Sequence, residues 1–180
     1  MEIQELGRRV YASAHLTGEF VLRSGQVAGE YFDKYRFEGD PVLLDAIAAA
    51  MVPLVPTDTE VLAGLEMGGI PVVTALGRHT GLPCAFVRKE AKAYGTRRLA
   101  EGAETAGRRV TIVEDVVTTG GQIVLSTQEL RAQGADIAHA VCVINRNPTT
   151  PAPLTEAGLT LHALLTSEDL AAYAEQPKAG

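Results

Sequence analysis

The stretch that most constrains the fold lies near the middle of the chain and begins with a short β-branched run, Val110–Val113. A run of this kind is typical of a strand buried in a parallel sheet. A loop rich in threonine and glycine follows, and then residues 122–132, whose apolar positions Ile123, Leu125 and Leu130 can share one face of a helix. Where a strand, a glycine-containing loop and a helix N-terminus meet, free amide N–H groups and the helix dipole favour an anion. The sequence therefore predicts an α/β unit with an anion site.

Two acids, Glu114 and Asp115, follow the predicted strand directly and precede the loop Thr118–Gly121. Carboxylates repel phosphate, but they accept hydrogen bonds from sugar hydroxyls and suit a magnesium ion held together with the sugar. We therefore predict a site for a phosphorylated ribose. The pattern is neither a P-loop nor a dinucleotide fingerprint, because the residue spacings of both are missing. The alternative is a turn that carries acids at a strand end by chance.

Strand and helix patterns alternate from Glu60 onward. The predicted strands are residues 61–64, 84–87, 110–113, 137–144 and 159–165, and residues 68–80 are predicted to form a helix. Such alternation indicates the α/β class, with a mainly parallel sheet flanked by helices on both faces. Ligands of these sheets bind beyond the carboxyl ends of the strands. One site is therefore expected to be lined by the loops that follow Gly64, Val87, Val113 and Ile144.

The N-terminal part has a different pattern. Apolar residues at helical spacing predict an amphipathic helix over residues 2–16, and residues 20–33 predict two short extended segments around a Ser-Gly turn. Asp40 and Pro41 are typical of the N-cap and first position of a second helix. The tail, residues 175–180, is expected to be frayed.

Composition and charge limit the classes of partner. The 180 residues are expected to form one domain, 1–180, and the net charge of −6 argues against broad nucleic-acid or membrane binding. No apolar run reaches the roughly 18 residues of a membrane span, and the N-terminus lacks the layout of a signal peptide. Cys84 and Cys142 are expected to be buried free thiols in a reducing cytoplasm. The histidines lack partners at metal-ligand spacing, so we interpret them as structural residues. They are His15, His79, His139 and His162.

About twenty residues without a clear apolar period separate the strands that end near Val87 and begin near Val110. Loops of this length inside a compact domain are usually functional or disordered. Gly95 is expected to lend this loop mobility. Residues 88–98 contain five cations: Arg88, Lys89, Lys92, Arg97 and Arg98. In an acidic chain, such a cluster is suited to a diphosphate group. The alternative is a charged loop that is simply solvated.

The central stretch resembles the phosphoribosyl diphosphate (PRPP) signature of the type I phosphoribosyltransferases. Residues 86–92 are similar to the mobile loop of orotate phosphoribosyltransferases, which share an Arg-Lys-Glu-x-Lys core. Residues 20–25 and 31–33 resemble the hood that covers the base in that family, and residues 143–146 resemble its orotate-carboxylate loop. These motifs occur in the family's order and cover roughly residues 18–150. The fold implied is the type I phosphoribosyltransferase fold, with residues 1–39 contributing a small hood.

The resemblance also implies roles for individual residues. Lys92 and Asp115 would be catalytic, and orotate would be contacted by Thr118, Arg146 and Arg23. The implied PRPP-binding residues are Arg88, Lys89, Lys92, Glu114, Asp115, Val116, Val117, Thr118, Thr119, Gly120, Gly121 and Gln122. Residues 64–69 would form the pyrophosphate loop, which in type I enzymes often contains a non-proline cis peptide. Tyr31 and Phe32 could either stack on the base or pack in the core.

The reaction that the resemblance implies is a pentosyl transfer in pyrimidine (UMP) biosynthesis. Orotate and PRPP would give orotidine 5′-phosphate and diphosphate, with Mg²⁺ held mainly by the substrate rather than by protein ligands. The enzyme would be a cytoplasmic homodimer with shared active sites, because part of the basic loop would reach the neighbouring subunit. Within the same fold, the alternatives are a purine phosphoribosyltransferase and a non-catalytic regulator that senses PRPP.

Three positions depart from the pattern of many orotate phosphoribosyltransferases. Tyr94 stands where many relatives have a histidine, and tyrosine carries no positive charge near neutral pH. Gly68 stands in the pyrophosphate loop where some relatives place a lysine, which leaves more of the leaving-group stabilisation to Arg88 and Lys92. Arg23 stands where lysine is also common, so the charge is kept while the donor geometry changes.

Overall fold

The computed structural model describes residues 1–21, 24–90 and 99–174. Its central feature is a six-stranded sheet with the order β5-β4-β3-β6-β7-β8, in which only β5 runs antiparallel to its neighbour. The α/β class predicted from the alternating pattern is confirmed. The strands are β1 His15–Val21, β2 Val27–Phe32, β3 Val61–Leu65, β4 Cys84–Val87, β5 Ala100–Gly102, β6 Arg109–Val117, β7 Asp136–Asn145 and β8 Thr160–Thr166.

Helices cover both faces of this sheet and bury two apolar layers against it. Adjacent strand residues point to opposite faces, so Leu62 joins one layer and Ala63 the other. The first layer is covered by α1, α3, α4 and α7, and the second by α5 and α6. The helices are α1 Ile3–Ala14, α2 Tyr35–Glu38, α3 Pro41–Met51, α4 Gly69–Thr80, α5 Gly121–Ala132, α6 Ala152–Glu156 and α7 Ser167–Ala174, and a 3-10 turn spans Val52–Leu54.

The N-terminal segments form a separate two-stranded antiparallel sheet, β1 and β2, as the extended pattern predicted, but β1 begins at His15, within the stretch predicted as helix. The short helix α2 then leads back to the main body and packs against α1 and α3. Asp40 caps α3 as predicted, since its carboxylate accepts hydrogen bonds from the N–H groups of Val42 and Leu43. Among the described residues, no helix is both long and apolar enough to cross a bilayer.

Two predictions about the central stretch were wrong. The strand does not end at Val113 but continues to Val117, because β7 goes on pairing with it beyond the two acids. Leu125 does not share the buried face of α5 and is 57% exposed. Two residues along a helix turn the side chain by about 200°, so a helix that buries Ile123 points Leu125 to solvent.

The segment before β6 also differs from the sequence reading. Residues 100–102 form the edge strand β5, which pairs with β4 although it has no apolar period. The thiols are free, but only Cys142 is fully buried, while Cys84 at the start of β4 is partly exposed. The predicted frayed tail and most of the basic loop, including Lys92 and Tyr94, lie outside the described residues.

Candidate active site

The two acids lie within β6 and not in a loop after it. The Glu114 carboxylate accepts a hydrogen bond from the backbone N–H of Asp115 at 3.0 Å, and the Asp115 carboxylate accepts one from Val116 N–H at 2.6 Å. Glu114 pairs with Cys142 of β7, and Val116 pairs with Ile144. Because the sheet holds the backbone on both sides of Asp115, the position of its carboxylate is fixed by the fold.

Asp115 is completely buried. The ammonium of Lys34, between β2 and α2, lies 2.6 Å from its Oδ2 atom. Gly68, in the turn after β3, packs against the same carboxylate so closely that a Cβ atom at this position would lie 1.7 Å from Oδ2. A ribose hydroxyl can therefore reach Asp115 only after one of these neighbours moves. The sequence did not indicate this contact.

Glu38, in α2, is a further buried acid that sequence reasoning missed. It is 7% exposed and lies beside Asp115. Burial first, and then the hydrogen bond and charge of Asp115, raise the pKa of Glu38 to about 9. Burial and the neighbouring Asp115 likewise hold the pKa of Glu114 well above its usual range. Glu38 is therefore protonated at neutral pH.

Asp115 and Lys34 behave in the opposite way. Burial opposes the ionisation of Asp115, but hydrogen bonds from Glu114, Glu38 and Lys34 outweigh it and lower the pKa of this carboxyl. Burial also opposes the charge on Lys34, but the hydrogen bond and charge of Asp115 raise its pKa. The cluster thus contains the ion pair of Lys34 with Asp115, the protonated Glu38, and Glu114, whose pKa is raised.

The raised pKa of Glu38 predicts a pH-dependent stability. Between pH 4.5 and about 9 the folded chain keeps a proton on Glu38 that the unfolded chain releases, so this residue lowers the free energy of unfolding as the pH rises. Glu38→Gln keeps a donor for Asp115 and removes this cost. We expect the variant to be more stable than the parent by about 1–3 kcal/mol at pH 8 and equally stable at pH 4.

Denaturant unfolding at both pH values measures this difference. Glu129→Gln, at an exposed position of α5, is the matched control and should change stability little at either pH. A gain in stability of Glu38→Gln that is the same at pH 4 and pH 8 would contradict a protonated Glu38 in the folded chain.

The predicted phosphate loop is shorter than the sequence suggested. Val116 and Val117 belong to β6, which leaves residues 118–120 as the loop before α5. Gly120 has a left-handed backbone, with φ of +76°, and a Cβ atom there would lie 2.9 Å from the Leu154 side chain. Glycine is therefore required on both conformational and steric grounds. The hydroxyls of Thr118 and Thr119 lie in exposed residues at the N-terminus of α5, where an anion is favoured.

The predicted orotate loop lies directly beside this phosphate loop. The backbone N–H of Arg146 donates to the carbonyl oxygen of Val117 at 2.9 Å, and the Asn147 amide donates to the carbonyl oxygen of Thr118. The Arg146 guanidinium lies 5.3 Å from the ring centre of Phe32, at the end of β2. A hood residue and the predicted carboxylate-binding arginine thus meet. Arg23 lies outside the described residues.

The basic loop begins on the other side of the acids. The Lys89 N–H donates to the Glu66 carboxylate at 2.6 Å, and the Arg88 N–H donates to the carbonyl oxygen of Leu99 at 2.9 Å. These bonds connect the start of the basic loop to Leu99, at the end of the same loop, and to Glu66 in the turn after β3. That turn contains a cis peptide between Glu66 and Met67, as the resemblance implied. The loop therefore starts next to the predicted pyrophosphate turn.

Comparison with known proteins agrees with this geometry. The phosphoribosyl transferase domain family matches residues 40–157. The orotate phosphoribosyltransferase of Nocardioides sp. is 51% identical over 170 residues, which cover 94% of this chain and 95% of the relative. The chain belongs to the orotate phosphoribosyltransferase family.

Solved structures of the family have the same fold. The orotate phosphoribosyltransferase of Mycobacterium tuberculosis in complex with Fe(III) dicitrate is 31% identical, with a TM-score of 0.84 over 93% of this chain and 98% of that one. The same enzyme in complex with PRPP is 27% identical, with a TM-score of 0.80 over 94% and 98% of the two chains. The type I phosphoribosyltransferase fold expected from the motifs is confirmed.

Proposed function

We infer that this protein is a pentosyltransferase that converts orotate and PRPP to orotidine 5′-phosphate and diphosphate, in pyrimidine biosynthesis. The observation that carries this inference is the meeting of the acids on β6, the phosphate loop at α5 and Arg146 at the carboxyl ends of the strands. Family membership supports the same reaction, since the relative named above is an orotate phosphoribosyltransferase.

The residues of the site suit the separation of charge in this reaction. Breaking the bond between ribose and diphosphate builds positive charge on the anomeric carbon and negative charge on the leaving oxygen. We propose that Arg88, Lys89 and Lys92 bind the diphosphate, while Glu114 and Asp115 accept hydrogen bonds from the ribose hydroxyls. Groups held in advance where charge develops contribute most of the rate enhancement in reactions of this type. The ring nitrogen of orotate loses its proton as its bond to the anomeric carbon forms, and the departing diphosphate can accept that proton.

Magnesium is proposed as the cofactor, carried to the site mainly by PRPP. In the part of the chain that the structure describes, no group of three or more His, Cys, Asp or Glu side chains could hold a metal ion. Mg²⁺ commonly keeps few protein ligands and binds through substrate phosphates, and the acids on β6 border the place where those phosphates would lie. When bound, the ion would neutralise charge on the leaving diphosphate.

An assay of base specificity tests the inferred function. Purified protein is supplied with PRPP, Mg²⁺ and one of orotate, uracil, adenine or hypoxanthine, and diphosphate release is followed. We expect turnover with orotate and its loss when Mg²⁺ is chelated. Turnover with a purine alone would favour a purine phosphoribosyltransferase, and PRPP binding without any product would favour a regulator.

Replacing Arg146 with lysine is expected to raise the KM for orotate about tenfold or more while changing the KM for PRPP little. The planar guanidinium can form two parallel hydrogen bonds with a carboxylate, which an ammonium cannot copy. Steady-state kinetics with each substrate varied measures the effect. Arg78→Lys, at an exposed position near the end of α4, is the control and should match the parent. An unchanged KM for orotate in Arg146→Lys would exclude this residue from the orotate site.

We also propose that the protein is a cytoplasmic homodimer with shared active sites. Val21 and Val27 pair at the end of the β1–β2 sheet, and their apolar side chains are 77% and 61% exposed. We propose that the second subunit covers this apolar surface. Both cysteines are free thiols, as expected in a reducing compartment.

A further inference from the structure

Lys34 contacts the acid that we assign to the ribose, although no sequence motif marked it. It lies between the hood strand β2 and the helix α2, and its ammonium is 2.6 Å from Oδ2 of Asp115. The Lys34 side chain is 32% exposed, whereas the Asp115 side chain is not exposed at all. Lys34 therefore stands between solvent and the acid that we assign to the ribose.

The remaining neighbours of Asp115 leave little room for another arrangement. Its Oδ1 atom accepts the Val116 N–H, and Gly68 packs on Oδ2 from the turn after β3. Glu38 and Glu114, the other acids at this place, contribute side-chain hydrogen bonds to Asp115. Backbone surrounds the carboxylate on the β6 and Gly68 sides. The neighbour that can leave most easily is thus the partly exposed Lys34 side chain.

Binding of PRPP changes what Lys34 faces. The ribose hydroxyls need an acceptor on Asp115, so they compete with the ammonium for Oδ2. The diphosphate of PRPP is attached to the carbon next to these hydroxyls, so it brings several anionic oxygens close to the displaced ammonium. A cation that loses one anionic partner and gains another nearby keeps most of its favourable interaction. Exchanging Asp115 for a diphosphate oxygen therefore costs the Lys34 ammonium little free energy.

We propose that Lys34 is a PRPP-binding residue that holds Asp115 in the free protein and moves to an anionic oxygen of the PRPP diphosphate when the ribose binds. This proposal rests on the inferred phosphoribosyl transfer. It makes Lys34 a selective contact for PRPP, because orotidine 5′-phosphate carries the same ribose and 5′-phosphate but no diphosphate.

Binding measurements without orotate test this assignment. Lys34→Gln keeps a hydrogen-bond donor for Asp115 and removes the charge, and Lys34→Arg keeps both. We expect Lys34→Gln to raise the Kd for PRPP with Mg²⁺ at least tenfold and the Kd for orotidine 5′-phosphate less than threefold, measured by calorimetry. Lys34→Arg should recover most of the PRPP affinity. Arg36→Gln, which removes an exposed charge from the same helix, is the matched control and should match the parent.

Several outcomes would overturn the proposal. These are an unchanged Kd for PRPP in Lys34→Gln, an equal loss of affinity for both ligands, and a loss no larger than that of Arg36→Gln. Should Lys34→Gln fail to fold, the double variant Lys34→Gln/Asp115→Asn removes both charges, and its PRPP affinity is compared with that of Asp115→Asn alone. The same tenfold loss is expected there, and equal affinities would overturn the proposal. Failure of the inferred function would instead appear as a parent protein that binds PRPP but does not turn over orotate.

Discussion

Lys92→Ala is expected to lower kcat at least about a hundredfold while changing orotate binding much less. The resemblance assigns Lys92 to the diphosphate, where negative charge grows as the ribosyl bond breaks. A group that interacts more strongly with the transition state than with the bound substrate acts mainly on kcat. The loop that carries it starts at Arg88 and Lys89, beside the turn that contains Glu66. Lys89 thus lies beside the predicted pyrophosphate turn, and Lys92 follows it by three residues in the sequence.

Steady-state kinetics and orotate binding, measured on the same preparation, separate the two effects. Arg108→Ala is a suitable control, because it removes a cation at the amino ends of the strands, where Arg108 pairs with Glu60. A kcat for Lys92→Ala within a few-fold of the parent would exclude a catalytic role for this lysine.

Asp115→Asn is expected to lower kcat/KM for PRPP about a hundredfold or more. The amide has nearly the shape of the carboxylate, so the tight contact with Gly68 is kept. Its charge is lost, however, and its NH₂ group would face either the Lys34 ammonium or the Val116 N–H, both of which are donors. The ribose hydroxyls would also lose an ionised acceptor. Asp136→Asn, at the exposed start of β7, is the matched control and should retain parental kinetics.

Circular dichroism and thermal unfolding show whether Asp115→Asn remains folded, which is required for its kinetics to be interpreted. A folded variant with kcat/KM close to that of the parent would exclude Asp115 from ribose binding. The two inactive proteins can also be combined. If Lys92 of one subunit serves the site of its neighbour, mixed dimers of Lys92→Ala and Asp115→Asn should contain one intact site and recover some activity. No recovery after demonstrated subunit exchange would count against shared sites.

Periodicity in the sequence was sufficient to predict the five parallel strands of the sheet and the helices α1, α3, α4 and α5, but not the edge strand β5. The apolar runs at 61–64, 84–87 and 137–144 were found within one or two residues of the strands, because buried parallel strands need unbroken apolar sequence. The end of β6 was not predicted. Its last four residues include two acids, and only the continued pairing with β7 keeps them extended. That pairing is a tertiary effect with no local signature.

Site residues were predicted where a sequence motif marks them, and Lys34 and Glu38 were missed because no motif marks them. Glu114, Asp115 and the phosphate loop form one continuous stretch, so their chemistry could be inferred together. Lys34 directly precedes α2 and Glu38 ends it, and this helix has only four residues. So short a segment shows no helical period, and the ion pair across 81 residues depends entirely on the packing of the hood against the sheet.

The close approach of Gly68 to Asp115 restricts how this active site can change in evolution. A lysine at position 68 cannot be introduced alone, because its Cβ atom would occupy the space of the Asp115 carboxylate. Asp115 would first have to adopt another rotamer, which would break its contact with Lys34. The identities of residues 34, 68 and 115 are therefore epistatic.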